Sequence, residues 1–324
     1  MNISFETGTT PSLLEEWTLP FSQVKTPYLI FVRIVYMSLL ITAISFGIPG
    51  NIMVIVSIIA FKNLRQVPHI LVANLALFDL GVMVMNNLSL VGSVFGEAIF
   101  TPIFCEISGI ICMISCYGSL WSIMAIAINR YIFICHNALY RSVFTVRGTL
   151  AFTALVWLVT ILLDAPNMRV FGYGRHAFES YSLHCAIIVA DDWRYNIIFY
   201  TGIAFFVPCI VTACCYYIIW KAANKKSGKM SEHRQKEQKQ LTKSLIIIFC
   251  VFVITWLPIS ILVASSGLWD PVFIPFEGWL IVEIGSHGNS AINFLVYGFT
   301  HSGFRKAYLT IGHSLLPCVI QHPK

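Results

Sequence analysis

Apolar residues in this chain neither alternate nor follow a narrow stripe; they run in long, nearly uncharged blocks separated by short polar stretches. Seven blocks stand out, at residues 29–60, 69–95, 102–135, 146–168, 193–220, 241–267 and 278–299. Each reaches the roughly 20 apolar residues that a helix needs to cross a hydrocarbon layer of about 30 Å. A backbone inside that layer must pair its own polar groups, so blocks of this length predict helices. The segment 302–316 has another character. Phe304, Tyr308, Ile311 and Leu315 recur at steps of four, three and four, with Arg305 and Lys306 beside them. That is the pattern of a helix lying along a membrane surface.

The predicted fold class is an all-α membrane protein: a seven-transmembrane helix bundle with a short amphipathic inner-leaflet helix. Three regions follow: an extracellular tail at 1–28, the bundle at 29–299, and the amphipathic helix with a short cytoplasmic tail at 300–324. Composition agrees. Hydrophobic residues make up 57% and charged residues 11%, and the mean hydropathy is +0.76. A soluble domain needs a more polar exterior than this. No internal repeat is evident, which counts against an inverted-repeat transporter.

Charge sets the orientation. With the N-terminus outside, 16 of the 21 lysines and arginines lie inside and 10 of the 15 acids lie outside, as the positive-inside rule requires. A multi-pass plasma-membrane protein with an extracellular N-terminus is expected. The chain does not open on a basic stretch followed by an apolar core, so the first span is expected to serve as its own insertion signal. Asn2 begins a glycosylation sequon on the outer side, and Cys318 beyond the amphipathic segment is a palmitoylation candidate. The basic stretch 221–240 suits an acidic partner or anionic lipid, or serves only to fix topology. The lipid bilayer is an expected partner, and nucleic acid is not.

Of ten cysteines, only Cys105 and Cys185 face the oxidising side in this topology. A disulfide between them is expected, with two free thiols as the alternative. The cysteines in or beside the spans read as small apolar packers, and their scatter gives no metal-ligand pattern. No spaced nucleophile–base set appears, so enzymatic chemistry is not expected.

Polar residues inside spans are costly, about 2.5–3.5 kcal/mol for an acid at mid-span on insertion scales. Asp79 sits near the middle of the second span, and Asn51, Ser115, Ser119, Asn289, Ser290 and Asn293 are polar groups that can face it. A carboxylate among neutral oxygens suits an allosteric sodium ion with water, a protonated acid in a hydrogen-bond network, or helix packing alone. No other cofactor is expected. Asn129-Arg130-Tyr131 closes the third span at the inner face, where Tyr216 and Tyr297 offer phenol oxygens; alone, Arg130 reads as a snorkelling anchor. Trp256 stands two residues before Pro258, which removes a backbone donor and makes a pivot in the sixth span.

Together these features resemble the rhodopsin-like family of G-protein-coupled receptors across nearly the whole chain. The landmarks are Asn51, Asp79, Cys105, Arg130, Trp157, Pro208, Tyr216, Trp256, Pro258, Asn293 and Tyr297, in that order. Within the family the chain looks most like the melatonin receptors. Asn129-Arg-Tyr-Ile-Phe-Ile-Cys-His136 with Tyr140 beyond, Pro166-Asn-Met-Arg169, and Asn289-Ser290 followed by Asn293-Phe-Leu-Val-Tyr297-Gly carry the likeness. Like those receptors, it has no proline after Asn293. The resemblance implies a heterotrimeric G protein of the Gi/o class as partner and an extracellular small-molecule or peptide ligand. Asn129 replaces the carboxylate that usually holds the arginine, so raised basal activity is expected.

The pocket departs from that pattern. Asn167 stands at the family's ligand-binding asparagine, but Ile187 and Val189 replace its loop phenylalanine and glutamine, and Ala204 its fifth-span histidine. Met113 replaces a glycine beside Cys112, and Glu283 and His287 replace two tyrosines. Glu283 and His287, four apart, share a helix face. With Asp164 they would suit an amine or a basic peptide, or simply bond to one another. Melatonin and an amine or peptide are the two ligand readings. A retinal pigment is excluded, because no lysine lies between Lys243 and Lys306. A transporter is the remote alternative, and its charged pathway is not apparent.

Overall fold

The structure, a computed structural model, describes residues 11–96, 100–168, 174–179, 183–189, 202–223, 232–268 and 276–320. Helices dominate. The spans are α1 (Pro27–Ala60), α2 (Val67–Phe95), α3 (Pro102–Cys135), α4 (Val146–Asp164), α5 (Val207–Ala223) and α6 (Glu232–Leu268). The seventh, α7, is two helices, Phe276–Gly288 and Asn293–Thr300, joined by a 3-10 turn at Asn289–Ala291. Six described helices are long and apolar enough to cross a membrane; neither helix of α7 has that length, at 13 and 8 residues. α8 (Ser302–Ile320) follows at once.

Proline and threonine set several ends. Pro102 opens α3 and Thr101 caps it by accepting from the Phe104 amide at 3.3 Å. Thr145 caps α4 by accepting from Gly148 at 3.1 Å, since a threonine hydroxyl satisfies one of the donors that a first turn leaves open. Pro166 belongs to a 3-10 turn, Ala165–Asn167, that ends α4. In α5 a wide π-turn, Gly202–Phe206, precedes Pro208, where the ladder has lost an N–H. Pro49 and Pro258 lie inside α1 and α6.

α3 is the central helix. Two thirds of its apolar window is buried, 67%, against 22% for α1 and for α4, which show most of their surface to lipid. Its seam with α2 is built from small residues, which let helices approach in a membrane where no hydrophobic drive brings them together. A methyl group on Gly118 would lie 2.2 Å from the Phe78 ring, and one on Gly81 would lie 2.1 Å from Ser115 Oγ. Phe78 in turn stacks on Trp157 of α4 with centroids 4.2 Å apart. A methyl on Gly50 of α1 would meet the Phe294 ring at 2.1 Å, so the residue after Asn293 packs flat against α1.

Among the described residues, the one departure from an all-helical expectation is an antiparallel hairpin, β1 (Gly174–Glu179) and β2 (His184–Val189), on the predicted outer side. Its two strands have no long apolar run and so gave no span signal. The tail also has structure: a short helix, Pro11–Thr18, precedes α1. Trp17, Val24, Leu29, Tyr36, Leu40, Leu183 and Leu280 form one buried cluster, which binds tail, hairpin, α1 and α7 at the outer end. Asn2 lies outside the described residues, as does the outer part of the 193–220 segment. Cys318 belongs to α8, but its side chain is outside the described set.

Gly118→Val should overpack the α2–α3–α4 seam and destabilise the fold by about 1–3 kcal/mol. Thermal melting of the purified protein would show it; an unchanged midpoint would mean that Phe78 can move aside.

Candidate functional site

The outer end is organised by the hairpin. Cys105 of α3 and Cys185 of β2 form a disulfide, as the cysteine placement predicts. In the register of the hairpin, Cys185 lies opposite Phe178 and Ile187 opposite His176. His176 packs so closely on α3 that a methyl on Gly109 would lie 2.5 Å from it. Its amide donates to Glu106 Oε2 at 3.2 Å. Its ring lies between two acids, Nε2 at 3.4 Å from Asp164 Oδ1 and Nδ1 at 3.9 Å from Glu106 Oε1. These are ion-pair distances for a protonated imidazole, without hydrogen-bond geometry. Asp164, which the sequence offered as a ligand acid, is fully buried and faces this histidine. On the other side of the hairpin, His184 Nδ1 and Ser89 Oγ are 3.0 Å apart.

Below the hairpin, Cys112 and Cys116 of α3 join Val82, Met83, Met85 and Ala291 in one cluster, with Met113 and Trp256 packed against it. This floor is apolar and rich in sulphur. Asn167 and Ile187 are half-buried above it. Ala204 is buried. Glu283 and His287 are four residues apart on the first helix of α7, but their side chains lie outside the described residues. Trp256 stacks on Phe252, centroids 5.4 Å apart and planes 2° from parallel.

Deeper in the bundle, the polar residues meet. Asp79 is fully buried. Ser119 Oγ donates to its Oδ1 at 2.9 Å and Asn293 Nδ2 to its Oδ2 at 2.6 Å. Asn51 Nδ2 donates to the Ser290 carbonyl at 2.9 Å, Ser290 Oγ to Asn289 Oδ1 at 3.2 Å, and Asn289 Nδ2 to Thr255 Oγ1 at 3.3 Å. The network thus joins α1, α2, α3, α6 and α7. Beside it, Asn74 Nδ2 donates to Ser122 Oγ at 2.8 Å while its Oδ1 accepts from Trp157 Nε1 at 2.9 Å. The oxygens around Asp79 are the type a sodium ion takes; clusters of three or more His, Cys, Asp or Glu that suit a transition metal are absent among the described residues.

At the inner end Arg130 is buried, donates from Nη2 to Asn129 Oδ1 at 3.2 Å, and lies 5.7 Å from the Phe133 ring centre. Tyr216 and Tyr297 are buried, and their hydroxyls have no hydrogen-bond partner among the described residues. Tyr131 points elsewhere: its hydroxyl is 2.9 Å from His136 Nε2. Two features here have no sequence signal. The first is a polar clasp from α6 to α7 and α8. Ser302 donates from its amide at 3.3 Å and its hydroxyl at 3.0 Å to Gln240 Oε1, and Ser244 hydrogen bonds to Thr300. The second is an aromatic cluster in which His69, His301 and Phe304 lie edge to face, with centroids 5.4–5.8 Å apart.

Residues 50–297 match the 7 transmembrane receptor (rhodopsin family). The chain belongs to that family. It is therefore a multi-pass membrane receptor that links an extracellular ligand to a G protein, and not an enzyme. The receptor is 30% identical over 282 residues to melatonin receptor type 1B-B of Danio rerio, covering 85% of this chain and 80% of that protein. It is 31% identical over 291 residues to melatonin receptor type 1A of Ovis aries, covering 86% and 77%. Against melatonin receptor type 1A of Gallus gallus the identity is 27% over 282 residues, covering 85% and 79%.

Proposed function

We propose that this receptor lies in the plasma membrane and couples its ligand to inhibitory Gi/o proteins. The likeness to melatonin receptors, spread over 85% of the chain, carries this reading. Two of the motifs behind it include Arg130 and Tyr297, at the inner side of α3 and α7, where a G protein would act. In this reading the ligand sits above the Cys112, Met113 and Trp256 floor, beneath Ile187 and beside Asn167. Its arrival moves Trp256 against the Pro258 pivot, and the inner face beside Arg130, Tyr216 and Tyr297 opens. A ligand does this only by binding the open form more tightly than the closed one.

The ligand in this proposal is an amine or peptide rather than melatonin. Ile187 and Ala204 support it, because neither supplies the polar or stacking group that the resemblance associates with melatonin, and Met113 fills space that a glycine leaves open in that pattern. Asp164 is turned toward His176, which leaves Glu283 and His287 as the groups to meet a charged ligand. A sodium ion at Asp79, with oxygens from Ser119, Asn289, Ser290 and Asn293, would favour the closed form. Asn2 and Cys318 remain proposed sites of glycosylation and palmitoylation, readable as mass shifts on the expressed protein.

In cells expressing the receptor, an amine or peptide from a screening panel should lower cyclic AMP in a pertussis-toxin-sensitive way, and melatonin should not. A toxin-sensitive response to melatonin would overturn the ligand reading, and signalling indifferent to the toxin would overturn the coupling. Sodium chloride should raise the melting temperature of the purified receptor above that in choline chloride, and Asp79→Asn should abolish the difference; equal sodium responses would remove the ion from Asp79. Asn129→Asp gives Arg130 a charged partner. A contact of about 1 kcal/mol shifts a two-state ratio roughly fivefold, so basal signalling should fall by about that factor, and an unchanged basal level would sink this role.

A further inference from the structure

The hairpin rests on a buried histidine with an acid on each side of its ring. His176 of β1 places Nε2 at 3.4 Å from Oδ1 of Asp164, the last residue of α4. Its Nδ1 lies 3.9 Å from Oε1 of Glu106, in the second turn of α3. His176 and Asp164 are buried, and neither ring nitrogen nor either Asp164 oxygen has a hydrogen-bond partner among the described residues. The acids approach different nitrogens, so one metal ion cannot take all three groups. A proton needs no such space.

A neutral imidazole carries one N–H and one lone pair. Whichever tautomer forms here, the lone pair looks toward a carboxylate. An ionised Asp164 facing a neutral ring would be a buried charge without a counter-charge, which costs several kcal/mol. The imidazolium is the form that presents a donor to both acids. The group then carries one excess negative charge, and Glu106, whose side chain is 21% exposed, keeps that excess in contact with water. The same carboxylate gives an external proton its way to a ring that is itself closed off. Other titratable groups lie apart. On α3 the adjoining Cys105 is held in the disulfide. The turn Ala165–Asn167, which packs on β1, has none. On β2, His184 lies further along the register, opposite Glu179, and pairs with Ser89. Arg175, next to His176 on β1, is exposed and leaves the strand on the other face.

We propose that His176 is a binding site for the external proton, and that its imidazolium clamps the hairpin to α3 and α4. The elements it joins carry the cover of the pocket: Ile187 lies opposite His176 in the register, and Asn167 stands three residues after Asp164. With the proton bound, the two acids hold β1 on the helix ends. As the medium turns alkaline through the imidazole range the proton leaves, a lone pair meets a carboxylate, and the hairpin loosens about its disulfide. The stabilising contribution is thus present in acid and lost as pH rises. Entry of a ligand beneath Ile187 then follows external acidity; that last step rests on the function proposed above, whereas the clamp does not.

The test follows peptide-resolved hydrogen exchange of the purified full-length receptor, without ligand, at about pH 5.5 and about pH 8, on either side of the imidazole range. Rates are corrected for the intrinsic effect of pH, and peptides from the inner half of α3 serve as reference. Amides of 184–189 should exchange about fivefold faster at the higher pH, and the melting temperature should fall by about 3 °C. His176→Gln should remove both differences, and His184→Gln should keep them. Equal protection at the two pH values, or a hairpin that loosens in acid instead, would overturn the proposal. A response kept by His176→Gln would overturn it as well, whether or not His184→Gln removes it. Should His176→Gln not fold, Glu106→Gln decides: loss of at least half the response supports the clamp, and an undiminished response refutes it. None of these readouts needs an agonist or a G protein, so their failure is distinct from failure of the ligand or coupling reading.

Discussion

A helix surrounded by lipid cannot turn to water to satisfy its polar side chains, and α3 is where this receptor meets that constraint. Ser115, Ser119 and Ser122 are spaced so that they face α2 and the bundle interior, and Gly118 brings Phe78 into contact between them. Through Ser119, α3 supplies a donor to Asp79; through Ser122, it accepts from Asn74. Asn74 then binds Trp157 and Asp79 binds Asn293, so α4 and α7 are joined to the α2–α3 pair by hydrogen bonds. Hydrophobic drive does not bring helices together in lipid, so close packing and these few bonds fix the arrangement. Without the small residues of the seam the polar groups would not reach one another, and an unmet acid at mid-membrane would be costly.

The two ends of the bundle depend on this centre in different ways. Outside, the hairpin is held to α3 by the disulfide and by the packing of His176 on Gly109. The floor residues Cys112 and Cys116 lie on the same helix, so floor and cover share one rigid support. Inside, Arg130 lies in the last turns of α3, and the helices that could move past it are α6 and α7. At that end Gln240 and Ser244 clasp Ser302 and Thr300. Between the ends, the Asn289–Thr255 bond couples α7 to α6 one residue from Trp256.

The spans were legible because a run of twenty or more apolar residues has few other uses, and the disulfide because only two cysteines face outward. The Asp79 network was legible as a set of costly residues seeking partners, although its bonding order was not. The hairpin was missed because its short strands lack both apolar length and a clean alternation. The approach of Asp164 to His176 was not legible, because the two are twelve residues apart and the hairpin has no periodicity to place the histidine. Arg33 and Trp17 are close only because the tail folds back, and nothing in the pattern of the tail announces that. The clasp is made of glutamine, serine and threonine, which the sequence uses on many surfaces, so only their meeting in space distinguishes them.

That clasp carries no charge. An ion pair at the cytoplasmic end of a receptor weakens as salt rises, because mobile ions screen it within about 8 Å at physiological ionic strength. Hydrogen bonds between an amide and hydroxyls are nearly blind to salt, and none of the four side chains titrates in the cellular range. The resting set of the inner face is therefore a matter of shape. It is held equally firmly in dilute or concentrated cytosol, and what loosens it is displacement of the helix ends themselves.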